Sequence, residues 1–515
     1  MWKWGIQRGG RLFDYLKRIL EQIREISSGI DDYQKLSPSG AMPAVAQVNK
    51  ALLLIKDKKI DDAESVLTEA EQVFPPNEGV YKTLGYIYEI KRDFPNVIKY
   101  LKKAYQLNSI KKDTIMRLGY AELSDGRYND ALETFEKATK LFPLDSETIS
   151  AHGMALYKLG QFEDARNDFM KAFSLDSHNL NALFLCANVD VMLGDYAKAE
   201  PRLALLIKVA PITIHLYEYA NLKRLKKEYD EALKYAQQII EKNKNFLPAY
   251  ILTAEIYQEN KEYAKAKQAI KTAESNELYS DIMYLTKANI YLATDDFDIA
   301  RDAYVKAIDF GITDDVLDGK ILVCRLMSSE ENNLTDDVIA YTQDTENEKI
   351  PDKKALKYLI LGIWNYKEKN NEHAEDFLRK AISITEQPPF AYHLLAKIYA
   401  ANDDEYRAEK YFNTVLEKNP KNFDAYKDYV DFLISKERYE DAKYKSKNAL
   451  KTFVNNYYFE NILFISEFRL LNNDFDEYNV KELIKLAEKL EKNSSFMYHN
   501  EKNILIEKLE DNKRG

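Results

Sequence analysis

Glycine and proline are scarce, 16 and 13 among 515 residues, about half the share of an average chain. That excludes a loop-rich or collagen-like protein and favours long helices joined by short turns. Cysteine is nearly absent. Cys186 and Cys324 lie 138 positions apart, which offers no disulfide framework and fits a reducing compartment. No run of about 18 apolar residues is present to span a bilayer. Positive charge is not in excess: 74 Lys and Arg stand against 84 Asp and Glu, so a nucleic-acid partner is excluded as the expectation. Arg8, Arg11, Asp14, Lys17 and Arg18 interrupt every apolar run near the start, where a secretory signal would need one. The expected location is cytoplasmic.

The chemistry of catalysis is missing as well. The chain holds no glycine-rich phosphate loop, no His-Glu-x-x-His pair, no paired-cysteine zinc spacing and no nucleophile elbow. No two of the six histidines stand at helical spacing, and His152 and Cys186 fall where core side chains are expected. No catalytic residue, metal or cofactor is therefore expected. What is abundant is apolar and aromatic content, 45% and 12%, too much for a disordered chain.

That content is periodic. Alanines stand at Ala131, Ala165, Ala199, Ala232, Ala266, Ala300, Ala374, Ala408 and Ala442, in steps of 34 or 33 apart from one step of 74. Three residues before seven of them sit Tyr128, Phe162, Tyr196, Tyr229, Tyr263, Phe297 and Tyr439. Small residues at Gly85, Gly119, Gly153 and Gly362 precede the markers by twelve, where two helices must approach closely. Pro75, Pro143, Pro211 and Pro420 follow by twelve, where a proline ends one helix and opens the next turn.

The pattern resembles the tetratricopeptide repeat. Leu118-Gly119, Gly126-Arg127-Tyr128-Asn129-Asp130-Ala131, Phe135, Ala138 and Pro143 carry the resemblance in one unit, and Gly153, Gly160, Phe162, Ala165, Phe169 and Ala172 in the next. The resemblance implies an all-α, right-handed solenoid superhelix of about 12 to 13 helical hairpins, each burying its apolar face against its neighbours. Residues 44–314 make repeats 1 to 8, 315–354 a degenerate repeat, 355–491 repeats 10 to 13, and 492–515 a capping helix and tail. In that cap Phe496, Ile504, Leu505 and Leu509 are expected inward. The polar stretches flanking the degenerate repeat leave two readings open, a hinge between two blocks or a drifted repeat. Pro201, inside a helix, is expected to bend it.

By the same resemblance the concave face formed by the first helix (A) of each hairpin binds an extended or helical segment of a partner protein. Transferring the register gives a groove of Met116, Tyr120, Met154, Tyr157, Phe184, Asn188, Tyr217, Asn221, Arg224, Glu255 and Asn289. Methionine adapts its shape, tyrosine offers flat area with a polar tip, and asparagine both donates to and accepts from a peptide backbone. Asn188, Asn221 and Asn289 share one register, a ladder able to bind main chain irrespective of sequence. The family's carboxylate-binding subset needs a lysine four residues earlier, where Phe184, Tyr217 and Leu285 stand.

Residues 1–30 read as a basic amphipathic helix, joined by a linker at 31–43. Leu12, Leu16, Ile19, Ile23, Ile26 and Ile30 form its stripe, Phe13 and Leu20 widen it, and Trp2, Trp4 and Arg11 precede or flank it. Docking on the solenoid or a partner, peripheral attachment to the inner face of a membrane, and a coiled-coil dimer all remain open. The expected function is a non-enzymatic scaffold or adaptor. A membrane-associated assembly factor of a bacterial envelope complex and an accessory subunit of an enzyme are the rivals.

Overall fold

The computed structural model describes residues 43–328, 334–471, 476–492 and 495–514. The N-terminal segment carrying Trp2, Trp4, Arg11, Leu12, Phe13, Leu16, Ile19, Leu20 and Ile23 lies outside the described residues. Among the described residues there are 27 α-helices and no strand. In chain order they fall into thirteen A/B pairs followed by one single helix, His499–Arg514. Most helices run 13 or 14 residues, three to four turns, and many begin at a side-chain cap. Asn77, Asp93, Asp145, Asn179, Ser280, Asp404, Asn422 and Asn456 each accept a hydrogen bond from a backbone N–H of the first turn.

The marker alanines explain the pairing. Ala131, Ala165, Ala199, Ala266, Ala300, Ala374, Ala408 and Ala442 are fully buried, because a larger side chain there would hold the two helices of a hairpin apart. Gly119 plays the matching part on helix A. A Cβ at Gly119 would stand 2.5 Å from Cε1 of Phe135, so its hydrogen is the slot that receives the ring. Gly126, Gly160 and Gly194 take φ of 77 to 80° in the A–B turns of repeats 3 to 5, a region glycine enters freely.

The chain divides into two compact units, Met1–Tyr235 and Ala236–Gly515. In the first, hairpins from Pro43–Lys56 onward stack in sequence. Their core centres on Phe135, Phe169, Phe184 and Leu203. Helix Tyr196–Val209 runs through Pro201.

In the second unit the degenerate repeat pairs helix Asp315–Met327 with a helix of only eight residues, Thr335–Thr342. It is packed into a continuous core through Leu317, Leu322, Val338 and Leu356. Beyond it, the second unit makes contacts that neighbour stacking alone does not produce. Lys261 Nζ donates to the Glu417 carbonyl (2.5 Å) and Tyr263 Oη to that of Lys418 (3.2 Å). Asn422 Nδ2 donates to Asp295 Oδ2 (2.8 Å), and Phe297 meets Phe390 edge to face, ring centroids 5.4 Å apart. The turns of repeats 7 and 8 therefore touch repeats 11 and 12.

At the C-terminus Leu505 and Phe496 are buried against Phe464, Leu483 and Leu490. Ile504, expected inward, is exposed. The stripe is set by Leu505 and Leu509, and Ile504 lies one position, about 100°, away from it.

Candidate functional site

Counting each repeat from the first residue of its helix A, the inner register occupies the fifth, ninth and twelfth places. In repeats 3 and 5 the fifth place is used for packing. Met116 is 1% and Phe184 0% exposed, and Phe184 lies against the His215 ring with centroids 5.2 Å apart. Met154, at the ninth place, is also buried. The expectation that these three line an open groove is corrected: their side chains fill the space between consecutive hairpins. Burial also holds His215 below the usual histidine range, its Nδ1 2.7 Å from the Ala210 carbonyl.

The remaining residues do present side chains. Tyr120 packs edge-on against Phe135, and Tyr157 against Phe162. Tyr157 Oη donates to Met192 Sδ at 3.2 Å, and burial raises its phenol above the usual range. Tyr217, Asn221 and Arg224 are half-buried on helix Thr213–Leu225. Asn221 Oδ1 accepts from Arg224 Nε and Nη2 at 3.3 and 3.0 Å. Asn188 differs from all of these. Its Oδ1 is shielded from solvent and accepts no hydrogen bond, an arrangement that normally costs free energy unless a partner arrives.

Two exposed residues on this side of a helix A escaped the sequence reading. Tyr86 and Ile90, on helix Glu78–Lys91, are 40% and 43% exposed. Tyr86 holds the ninth place of repeat 2, as Tyr120 does in repeat 3, so the spacing was available to reveal it, and Ile90 stands at the thirteenth, one turn further along the same helix. Beside them Glu89 pairs with Arg117 (3.1 Å) and Lys82 with Asp113 (2.7 Å), which leaves this rim mixed in sign.

In the second unit Glu255 is half-buried, and Asn289 is spoken for. Its Oδ1 accepts from Tyr304 Oη (2.7 Å) and Lys320 Nζ (3.1 Å). The asparagine register is thus used in three ways: unpartnered at Asn188, tied to its own helix at Asn221, and structural at Asn289.

Elsewhere several polar residues pair with one another. His152 Nδ1 lies 2.5 Å from Asp168 across its hairpin, and His393 lies 3.0 Å from Asp428. Cys186 and Cys324 are buried, which pushes their thiols up to about 11 and 12 and leaves them unreactive at neutral pH. Among the described residues no cluster of His, Cys, Asp or Glu forms a metal site, and no helix is long and apolar enough to cross a membrane.

The tetratricopeptide repeat family matches residues 113–143 and 147–179. The family of Chs5p-Arf1p-binding proteins matches residues 339–469. Among solved structures, a tetratricopeptide repeat protein from Parabacteroides merdae is similar at 19% identity, covering 48% of this chain and 98% of its own, with a TM-score of 0.43. The pilF protein of Pseudomonas aeruginosa is similar at 17% identity, over 41% of this chain and 97% of its own, with a TM-score of 0.35. MamA from Desulfovibrio magneticus is similar at 18% identity, over 32% of this chain and 93% of its own, with a TM-score of 0.31. No curated protein matches the chain. The family match gives residues 113–143 and 147–179 as tetratricopeptide repeats, and the same register and run of helical hairpins continue on either side of them as an all-α solenoid.

Proposed function

We propose that the protein is a non-enzymatic scaffold that holds an extended segment of a partner protein on the inner register of its first unit. The observation that carries this reading is the Asn188 carboxamide, whose carbonyl oxygen is shielded from water and unbonded. A peptide N–H supplies the missing donor once the half-buried Asn188 carboxamide turns its oxygen toward the inner face. Met192, one turn along the same helix, and Tyr157 and Tyr217, on the A helices of the neighbouring repeats, supply adaptable and flat apolar area. The second unit is offered a protein partner too, because residues 339–469 resemble proteins named for binding Chs5p and Arf1p.

The test separates recognition from folding. A partner is captured with the full-length chain from its native cell, its bound segment is mapped, and the affinity of that segment is measured by calorimetry. Asn188→Ala is expected to weaken binding about tenfold, the worth of one hydrogen bond to a desolvated carbonyl, with the thermal midpoint unchanged. Asn289→Ala is expected to do the reverse, lowering stability by about 1–3 kcal/mol through the orphaned Tyr304 and Lys320 donors and leaving affinity alone. Equal affinities of wild type and Asn188→Ala would reject the reading.

A further inference from the structure

The first hairpin has a face that no described residue covers. In the repeats that follow, three places on helix A meet the hairpin before. In repeat 2 they are Val80, Leu84 and Ile87, at most 2% exposed, on a helix that packs against both helices of repeat 1. Repeats 3, 5 and 6 bury the same three places. One period of 34 residues earlier, on helix Pro43–Lys56, they fall on Ala46, Lys50 and Leu53, and there all three are exposed, Leu53 by 63%.

That helix has the composition of one enclosed on every side. Nine of its 14 residues are Ala, Val, Leu or Ile, and Leu52, Leu53, Leu54 and Ile55 follow one another without a break. Four consecutive residues make more than a full turn, so this end is apolar all round, as in a buried helix. A solenoid that simply stops turns a polar face outward there. At the C-terminus the chain meets the same need with a single helix, His499–Arg514, beside which Phe496 and Leu505 are buried against Phe464, Leu483 and Leu490.

The chain ahead of Pro43 holds one segment of matching form. Leu12, Leu16, Ile19, Ile23, Ile26 and Ile30 recur at helical spacing. A helix over 12–30 would measure about 28 Å, enough to run the whole length of Pro43–Lys56, about 21 Å. Residues 31–42 give a tether of up to about 40 Å, several times the separation of roughly 8–10 Å between the axes of packed helices. Such a tether holds the segment at roughly millimolar effective concentration beside the open face, a level that neither a second copy nor a free partner reaches in dilute solution.

We propose that residues 12–30 are the N-terminal cap of the solenoid, their apolar stripe lying on Ala46, Lys50 and Leu53 where helix B of a preceding repeat would stand. Lys50 lays its stem along the stripe and keeps its ammonium in water. The inner register takes no part in this contact, so the cap stands or falls independently of peptide capture.

Thiol labelling of full-length Leu53→Cys reads the cover directly, because Cys186 and Cys324 are buried and do not compete. A maleimide should modify the introduced thiol about tenfold more slowly than that of Leu144→Cys, whose site is 77% exposed between helices Tyr128–Leu141 and Ser146–Lys158. Adding Ile19→Asp and Ile23→Asp sets two carboxylates in the stripe. The pair should raise the rate at Leu53→Cys about tenfold and leave Leu144→Cys alone. Hydrogen exchange separates uncovering from unfolding: with Ile19→Asp and Ile23→Asp the amides of helix Pro43–Lys56 should lose protection while those of Glu78–Lys91 keep theirs. Slow labelling should persist on dilution, as an intramolecular contact requires. Protection that fades on dilution would assign the face to a second copy, and a Leu53→Cys rate unmoved by Ile19→Asp and Ile23→Asp would show that this segment does not cover it; either result overturns the proposal.

Discussion

Phe135→Ala should cost about 3–5 kcal/mol of local stability, read as lost hydrogen-exchange protection in helices Lys112–Ser124 and Tyr128–Leu141. The ring is fully buried and occupies the gap that Gly119 leaves between the two helices of repeat 3. Gly119→Ala alone should cost about 1–3 kcal/mol, because its Cβ would stand 2.5 Å from the ring and the packed ring has nowhere to retreat. The combination reverses the sign. Once Phe135 is alanine the new methyl meets empty space, the collision disappears, and the helix propensity of alanine over glycine, worth about 1 kcal/mol, is all that is left. Gly119→Ala should therefore destabilise the wild type and stabilise the Phe135→Ala variant, a coupling of about 2–4 kcal/mol across the cycle. Exchange is the right probe because repeat arrays need not unfold in one step. Additive costs in the double variant would show that the small residue serves helix propensity and not close approach.

The fold was legible in the sequence because one period does several jobs. An alanine every 34 residues fixes where helices touch, a glycine or alanine twelve residues earlier fixes the other side of that contact, and an aromatic three residues before fixes where helix B begins. Helices starting at Glu78, Lys112, Ser146, Leu180, Thr213, Leu247, Asp281, Pro389, Phe423 and Tyr457 follow that spacing to the residue. The inner face was less legible, since helix periodicity says which side a residue is on but not how deep it sits. Met116 and Phe184 share a side with Tyr217 yet are sealed by the next hairpin, and no spacing rule distinguishes them. The three asparagines look alike in sequence, and only their neighbours, Arg224 for Asn221 and Lys320 for Asn289, give them different roles. The contacts of the turns of repeats 7 and 8 with repeats 11 and 12 left no trace at all. They join residues 93 to 156 positions apart, and a repeat pattern encodes contacts between neighbours only.

Arg202→Leu carries the other large effect, about 3–5 kcal/mol, again expected as lost exchange protection in helices Leu180–Met192 and Tyr196–Val209. Asp190 has no exposed side-chain surface, and Arg202 pairs with it across the hairpin of repeat 5. Arg166 stands farther off, at 3.7 Å from Asp190, and is already engaged by Asp195 at 2.9 Å. Removing Arg202 leaves a carboxylate in the core with half its compensation, which is why breaking such a pair costs far more than the pair contributes. Two further measurements identify the cause. Replacing both residues, Asp190→Leu with Arg202→Leu, should recover most of the loss, because no charge is left without a partner. The single variant should also depend on pH. Burial already raises the Asp190 carboxyl above the ordinary range while Arg202 and Arg166 pull it down, so deleting Arg202 raises it further. The folded state then binds the proton more tightly than the unfolded state, and the variant gains stability relative to wild type as pH falls from 7 toward 4. A deficit that stays constant over that interval, or a double variant as unstable as the single one, would show that Arg202 acts through its packed stem and its hydrogen bond to the Lys198 carbonyl (3.0 Å) rather than through its charge.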